Sequence, residues 1–111
     1  MSGSFTPLDR DAARLTRGRI IATLYVGLHQ DWLSQDLLHT RVCGGPRDPD
    51  YRRPLEFARF LTYLEEAGYV NKREENDPLV DQPRTFYRLS KVGVDLYEGV
   101  RAADPGVEIR R

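Results

Sequence analysis

The fold is decided by two stretches of sequence: LTYLEEAGYV at residues 61–70 and FYRLSKVGVDL at residues 86–96. Apolar residues recur at helical spacing in the first stretch as far as Gly68, and glycine suits the left-handed position that follows a helix. The second stretch opens with strand-forming aromatic residues and continues into a helix that Ser90 can cap. Together the two stretches predict a helix, a β-hairpin and another helix, in that order.

A long first helix is predicted to begin near residue 7. Thr6 can cap it, Pro7 suits its first turn, and Asp9 stands where a capping-box carboxylate would. Gly18 lies inside this helix, where glycine costs about 1 kcal/mol relative to alanine. We therefore expect a partner helix to approach closely at Gly18, and we expect the first and last helices to form a dimer surface. The more solvent-exposed side of the helix is predicted to carry Arg10, Arg14 and Arg17.

Two further helices are predicted before the hairpin. Ser34 begins the second helix, which ends at the Gly44-Gly45-Pro46 run. Asp50 is the expected cap of the third helix, at about residues 51–67. The apolar face of the third helix carries Phe57, Phe60, Leu61 and Leu64, and its polar side carries Arg52, Glu56, Arg59 and Tyr63.

Strand composition covers residues 69–73 and 85–89. The segment between these strands contains Pro78 and Pro83 and is long for a hairpin loop, so we expect a mobile tip over residues 74–84.

The last helix is expected to start at Ser90, with Val92, Leu96 and Val100 as its inward stripe. The expected organisation is a flexible N-terminus at residues 1–6, one domain at residues 7–106 and a loosely held tail at residues 107–111.

The composition is that of one globular domain. The chain has 111 residues, and its 17 basic and 17 acidic residues give no net charge, which argues against strong non-specific DNA binding. No apolar run approaches the roughly 18 residues that a membrane helix needs, and no signal peptide is evident, so we expect a cytoplasmic protein. A single cysteine, Cys43, agrees with a reducing compartment.

The run Leu61-x-x-Leu64-x-x-x-Gly68-Tyr69-Val70, followed by Tyr87-Arg88-Leu89-Ser90-x-x-Gly93-x-x-Leu96, resembles the winged-helix repressors of the MarR, PadR and ArsR type. The resemblance covers about residues 19–107. It implies a mainly α fold with a small β-hairpin (α+β), a winged helix-turn-helix of about four helices plus a two-stranded antiparallel wing. The ending Tyr97-Glu98-Gly99 with Asp104-Pro105-Gly106-Val107 is similar to the small winged-helix proteins of Mu-like phages and prophages.

This resemblance implies a transcriptional regulator that binds double-stranded DNA, with the third helix as recognition helix, and we expect it to act as a homodimer. The residues expected to read or position DNA are Arg52, Arg53, Glu56, Arg59 and Tyr63, since arginine can donate two hydrogen bonds to guanine. Lys72, Arg73 and Arg84 of the wing would steady the DNA backbone, although the neighbouring carboxylates repel phosphates. Alternatively, all these basic side chains are solvated or ion-paired.

Other functions stay open. The same fold serves as a protein-interaction module, for example with a phage or host protein in a regulatory or packaging assembly, and neutral charge favours that alternative. A ligand-sensing repressor would need a pocket, and sensing motifs are not evident. We expect no enzyme and no cofactor, because no nucleophile motif or phosphate-cradling loop is present. We expect no metal site, because His29, His39 and Cys43 do not complete a tetrahedral ligand set.

Overall fold

The computed structural model describes residues 7–27 and 31–110, which form a compact α+β fold. In chain order its elements are α1 (Pro7–Val26), β1 (Leu33–Ser34), α2 (Gln35–Cys43), α3 (Pro54–Glu66), β2 (Val70–Asp77), β3 (Gln82–Leu89) and α4 (Lys91–Glu98). The expected α+β class is confirmed. The expected flexible N-terminus and the expected cap Thr6 lie outside the described residues. None of the described helices is both long and apolar enough to cross a membrane.

The sheet has three antiparallel strands in the order β1-β3-β2, so the expectation of a two-stranded sheet is wrong. The additional strand, β1, pairs Leu33 with Tyr87 and Ser34 with Phe86 of β3. Two residues are too few to give a readable alternation of apolar and polar side chains, which is why the sequence does not reveal this strand.

The hairpin is longer than expected. Its ladder runs without interruption from Val70 opposite Leu89 to Asp77 opposite Gln82, so the expected loop over residues 74–84 shrinks to residues 78–81. Pro83 lies inside β3, although proline has no backbone N–H to donate to a neighbouring strand. Such a residue is tolerated because β1 reaches only residues 86 and 87, which leaves this end of β3 with one neighbouring strand.

The core is formed where α1, α2, α3 and α4 pack around the sheet. The expected apolar face of α3 is confirmed, and its side chains pack with residues of α1 and α2 that are also nearly inaccessible. The fully buried members of this core include Ile20, Ile21, Leu38, Phe57, Leu61 and Leu64.

The helix ends follow the sequence in most places. The Ser34 hydroxyl accepts from Leu37 N (3.2 Å) and the Ser90 hydroxyl accepts from Gly93 N (3.1 Å), so both expected caps are confirmed. Gly44 and Gly68 adopt positive φ angles after α2 and α3. The last helix ends earlier than expected, at Glu98 with Gly99 as its cap, and Val100 is 71% exposed rather than part of an inward stripe.

The expected cap of α3 is wrong. Arg53, not Asp50, occupies the capping position and makes no side-chain cap bond, while Pro54 opens the helix. Asp50 instead forms an ion pair with Arg19 of α1, with 3.0 Å between Oδ2 and Nη1. The connection between α2 and α3 is therefore attached to α1 rather than folded onto α3.

The chain end packs against α1. Val107 is buried, and Glu108 N donates to the carbonyl oxygen of Arg14 (3.0 Å), so residues 107–110 are not a loose tail. A Cβ at Gly18 would collide with the carbonyl oxygen of Glu108. The expectation that a partner helix approaches Gly18 is thus wrong, because the chain's own non-helical C-terminal segment makes the close approach and covers this part of α1.

Candidate nucleic-acid interface

The start of α3 is fixed by contacts from α2. Nε2 of His39 donates to the carbonyl oxygen of Arg52 (2.6 Å), and the His39 ring packs edge-on against Tyr51 and Phe57 with ring centroids 5.3 Å and 4.9 Å apart. Because the Arg52 backbone is held in this way, the side chains that follow leave α3 in set directions. Arg53 and Arg59 are exposed, whereas Tyr63 is half-buried.

Three arginines of α1 face α3. Arg10, Arg14 and Arg17 are spaced by four and three residues and therefore share one side of the helix. The Arg17 guanidinium lies over the Tyr63 ring, with 3.9 Å between Cζ and the ring centroid, and its Nη1 donates to the carbonyl oxygen of Gly106 (3.0 Å). Arg17 therefore joins α1, α3 and the C-terminal segment.

Between these helices lies a groove of about 720 Å³, which we call the α1–α3 groove. Its lining contains five arginines and one carboxylate, with an apolar floor; the residues are Arg10, Ala13, Arg14, Arg17, Arg52, Glu56, Arg59, Phe60, Tyr63 and Gly106. Five positive charges less one negative charge leave a surplus of four in a chain whose net charge is zero. The groove is therefore locally positive although the whole chain is neutral.

Few of these arginines are neutralised. Arg52 pairs loosely with Glu56 and Arg14 with Asp11, at 3.5 Å and 3.4 Å between nitrogen and oxygen, and such partly exposed pairs contribute little energy. Arg10 and Arg59 form no ion pair with the side chains of residues 10–27 and 31–110. The Nε atoms of Arg14 and Arg17 are buried without a hydrogen-bond acceptor among the described residues. An anionic ligand would relieve the mutual repulsion of these guanidinium groups.

The basic residues of the hairpin are arranged differently. Arg73 pairs with Glu75 (2.9 Å) and Arg84 with Asp77 (3.1 Å), so their charges are balanced within the hairpin. The guanidinium groups of Arg73 and Arg88 both stack on the Trp32 ring, each with 4.6 Å between Cζ and the ring centroid. These stacks attach the segment before β1 to the sheet and restrict the side chains of Arg73 and Arg88.

The structure brings together Arg52, Glu56, Arg59 and Tyr63 in the α1–α3 groove. Because α3 begins at Pro54 rather than near residue 51, Arg52 lies before the helix, and helical periodicity accounts only for Glu56, Arg59 and Tyr63. Arg53 lies outside the groove lining at the helix start, and Lys72, Arg73 and Arg84 lie on the hairpin. Sequence reasoning did not include Arg10, Arg14 and Arg17 among the site residues. Their spacing on one side of α1 was the available signal, but only the packing of α1 on α3 gives it meaning.

The described residues include no group of His, Cys, Asp and Glu arranged to hold a metal ion. Burial is the main cause that raises the pKa of the Cys43 thiol, which therefore stays protonated and unreactive at neutral pH. Burial, together with a hydrogen bond to the Asp104 carboxylate, raises the pKa of Tyr69 to about 12. Burial also raises the pKa of Tyr87 to about 12, helped by the nearby carboxylates of Glu65 and Glu74.

No protein-family model, curated protein or solved structure matches this chain. The resemblance to winged-helix repressors therefore stays a prediction, and function must be inferred from the groove and the surfaces around it.

Proposed function

We propose that the protein is a winged-helix regulator that binds duplex DNA through α3 and through the arginines of α1 that face it. The observation that carries this proposal is the charge of the α1–α3 groove, which holds five arginines against one glutamate in a chain without net charge. DNA presents a dense row of phosphates, and neutralising them with arginine releases bound counterions, which is the main source of affinity.

The order of the elements supports this proposal. A helix, a short strand, two helices, a hairpin and a closing helix follow one another, and the three strands pair in the order β1-β3-β2. In a winged helix-turn-helix the helix before the hairpin enters the major groove, and here that helix is α3. The exposed Arg53 and Arg59 would contact phosphates or guanine edges, and Glu56 would accept from a cytosine amino group.

The hairpin would contribute less to DNA binding than the sequence suggests. Arg73, Arg84 and Arg88 each pair with a carboxylate, so Lys72 is the one cation of β2 and β3 without an ion pair in the described structure. We therefore assign the backbone contacts mainly to α1 and α3. A regulatory role in transcription, and an origin in a phage or prophage, rest on the resemblance alone.

The proposal is tested by removing one groove arginine. After selection of a bound sequence from random duplexes, Arg59→Ala should weaken binding of that duplex about tenfold, because a guanidinium that contacts phosphate or base is lost. Arg101→Ala is the matched control, since Arg101 is exposed and lies outside the groove lining. Equal affinities of wild type and Arg59→Ala, measured by fluorescence anisotropy, would contradict the assignment.

A second candidate function is protein interaction, and the tip of the hairpin favours it. Leu79 is 91% exposed and Val80 is 57% exposed, although apolar side chains gain free energy by burial. Carboxylates flank both residues and would repel phosphates. This tip is suited to contact with a protein surface rather than with DNA.

A further inference from the structure

The outer half of the hairpin projects from the core. Residues 71–76 of β2 and 82–84 of β3 are all exposed, so neither face of the hairpin is covered there. The connection at residues 78–81 carries the two exposed apolar side chains, Leu79 and Val80. The turn itself is ordered by Asp77, whose carboxylate accepts from Leu79 N (2.9 Å) and whose carbonyl oxygen accepts from Asp81 N (2.7 Å). The apolar tip is thus held on a defined turn.

The charge of the tip is negative. Residues 74–81 contain four carboxylates and no basic residue. Two of them, Glu75 and Asp77, pair with Arg73 and Arg84. The other two, Glu74 and Asp81, form no ion pair within the described part of the chain. The tip therefore presents two uncompensated carboxylates beside two apolar side chains.

The α1–α3 groove has the complementary properties. Its arginines Arg10 and Arg59 lack ion pairs among the described residues, and its floor includes Phe60 and Tyr63. Arg10 and Arg17 are seven residues apart along α1, which corresponds to about 10 Å. Two paired strands are only about 4.8 Å apart, so the end of a hairpin is narrow enough to lie along this row of arginines.

We propose that the hairpin tip of one copy of the protein docks in the α1–α3 groove of a second copy. The carboxylates of Glu74 and Asp81 then meet Arg10 and Arg59, and Leu79 and Val80 cover the aromatic floor. The zero net charge of the chain supports a second copy as the partner, because the surplus of the groove is balanced by acidic surface elsewhere on the same molecule. Two such contacts made reciprocally close a two-fold dimer.

This contact would compete with DNA, although it does not depend on DNA binding. Arg52 and Arg59 line the groove in which the tip docks, and they are also among the residues proposed to contact the duplex. Self-association would then shield the arginines until a polyanion displaces the hairpin.

The test is a charge exchange followed by sedimentation velocity without DNA, over a wide range of protein concentration and at low salt. One variant carries Glu74→Lys with Asp81→Lys, and the other carries Arg10→Glu with Arg59→Glu. Each alone should weaken self-association roughly tenfold or more, because like charges face each other. An equimolar mixture should associate again, since the new lysines of one variant meet the new glutamates of the other.

Matched controls change the charge equally at exposed positions outside both surfaces: Asp36→Lys with Glu66→Lys, and Arg41→Glu with Arg47→Glu. These should associate as wild type does. Leu79→Ser with Val80→Ser should also weaken association while leaving every charge in place. A wild type that stays monomeric throughout overturns the proposal, as does association that survives either charge variant or is not restored by mixing. Circular dichroism checks that each variant is folded.

Discussion

Arg17 lies among the other arginines of the α1–α3 groove, yet its side chain packs against the rest of the protein. Its guanidinium stacks on Tyr63 and donates to the carbonyl oxygen of Gly106, so it is held on both sides. A Cβ at Gly106 would collide with the Tyr63 hydroxyl, which brings the C-terminal segment into the same contact. Replacing Arg17 would therefore disturb structure and charge together. Arg10 and Arg59 are the better probes of binding.

The free energy of unfolding should depend on pH through the buried tyrosines Tyr69 and Tyr87. The pKa of Tyr69 is raised from about 10 to about 12 in the folded protein, as is that of Tyr87. Below pH 10 both tyrosines are protonated whether the chain is folded or unfolded, so their full stabilisation is present. Between pH 10 and pH 12 the unfolded chain ionises first, and each tyrosine removes about 2 kcal/mol from the free energy of unfolding.

Tyr69→Phe should roughly halve this alkaline loss, because one of the two shifted groups is gone. At neutral pH it should cost about 1 kcal/mol, since the hydrogen bond to Asp104 is lost. Urea unfolding of wild type and variant at steps from pH 8 to pH 12 measures both effects. The same decline in both proteins would show that Tyr69 does not ionise late in the folded state.

Serine caps fix where two of the helices, α2 and α4, begin. The Ser34 hydroxyl accepts from Leu37 N, a single cap bond at the start of α2. The Ser90 hydroxyl both accepts from Gly93 N and donates to the carbonyl oxygen of Gly68 (2.5 Å), so it also connects α4 to the end of α3. One residue thus fixes the junction between the hairpin and both flanking helices.

Ser90→Ala should therefore destabilise the protein more than Ser34→Ala. A lost cap costs about 1 kcal/mol, and Ser90 loses a further hydrogen bond, so we expect about 2 kcal/mol for Ser90→Ala and about 1 kcal/mol for Ser34→Ala. Urea unfolding midpoints at neutral pH give the comparison. Equal losses would mean that the bond to Gly68 adds no stability.

These caps also explain which elements could be predicted from sequence. A cap or a terminating glycine is a local signal, and Ser34, Gly44, Gly68 and Ser90 were all found correctly. The length of the hairpin could not be predicted, because proline usually interrupts a strand. Pro83 is compatible with β3 only because β3 has no second neighbouring strand there, which the sequence does not show. β1 was missed because a strand of two residues owes its existence to its partner in β3.

Only part of the candidate site could be predicted from the sequence, because helical periodicity is a local signal and the packing of α1 on α3 is not. The polar side of α3 follows from helical periodicity, and Glu56, Arg59 and Tyr63 do line one groove; Arg52 lines it from a position before the helix. The three arginines of α1 share a helical side as well, but their meeting with α3 depends on long-range packing. Likewise, a glycine inside a helix indicates that another segment packs closely at Gly18. The sequence does not show that this segment is the backbone of Glu108 in the same chain.

For binding by this protein, the distribution of charge over its surface matters more than the net charge. Net neutrality conceals a surplus of four positive charges in the α1–α3 groove and a hairpin tip that carries only carboxylates. Such a separation favours attraction of a polyanion to one surface, and attraction between copies through both. DNA and a second copy would then be alternative occupants of one groove.

The salt dependence of duplex binding shows whether the arginines of the α1–α3 groove contact phosphates. With about four phosphates neutralised by the groove, a plot of log affinity against log salt concentration should have a slope of about −4, and Arg10→Ala should reduce it by about 1. Arg101→Ala is the control and should keep the wild-type slope. The titration uses protein concentrations at which sedimentation shows a monomer. Binding that is absent at low salt, or a slope unchanged by Arg10→Ala, would contradict the assignment of the α1–α3 groove to DNA.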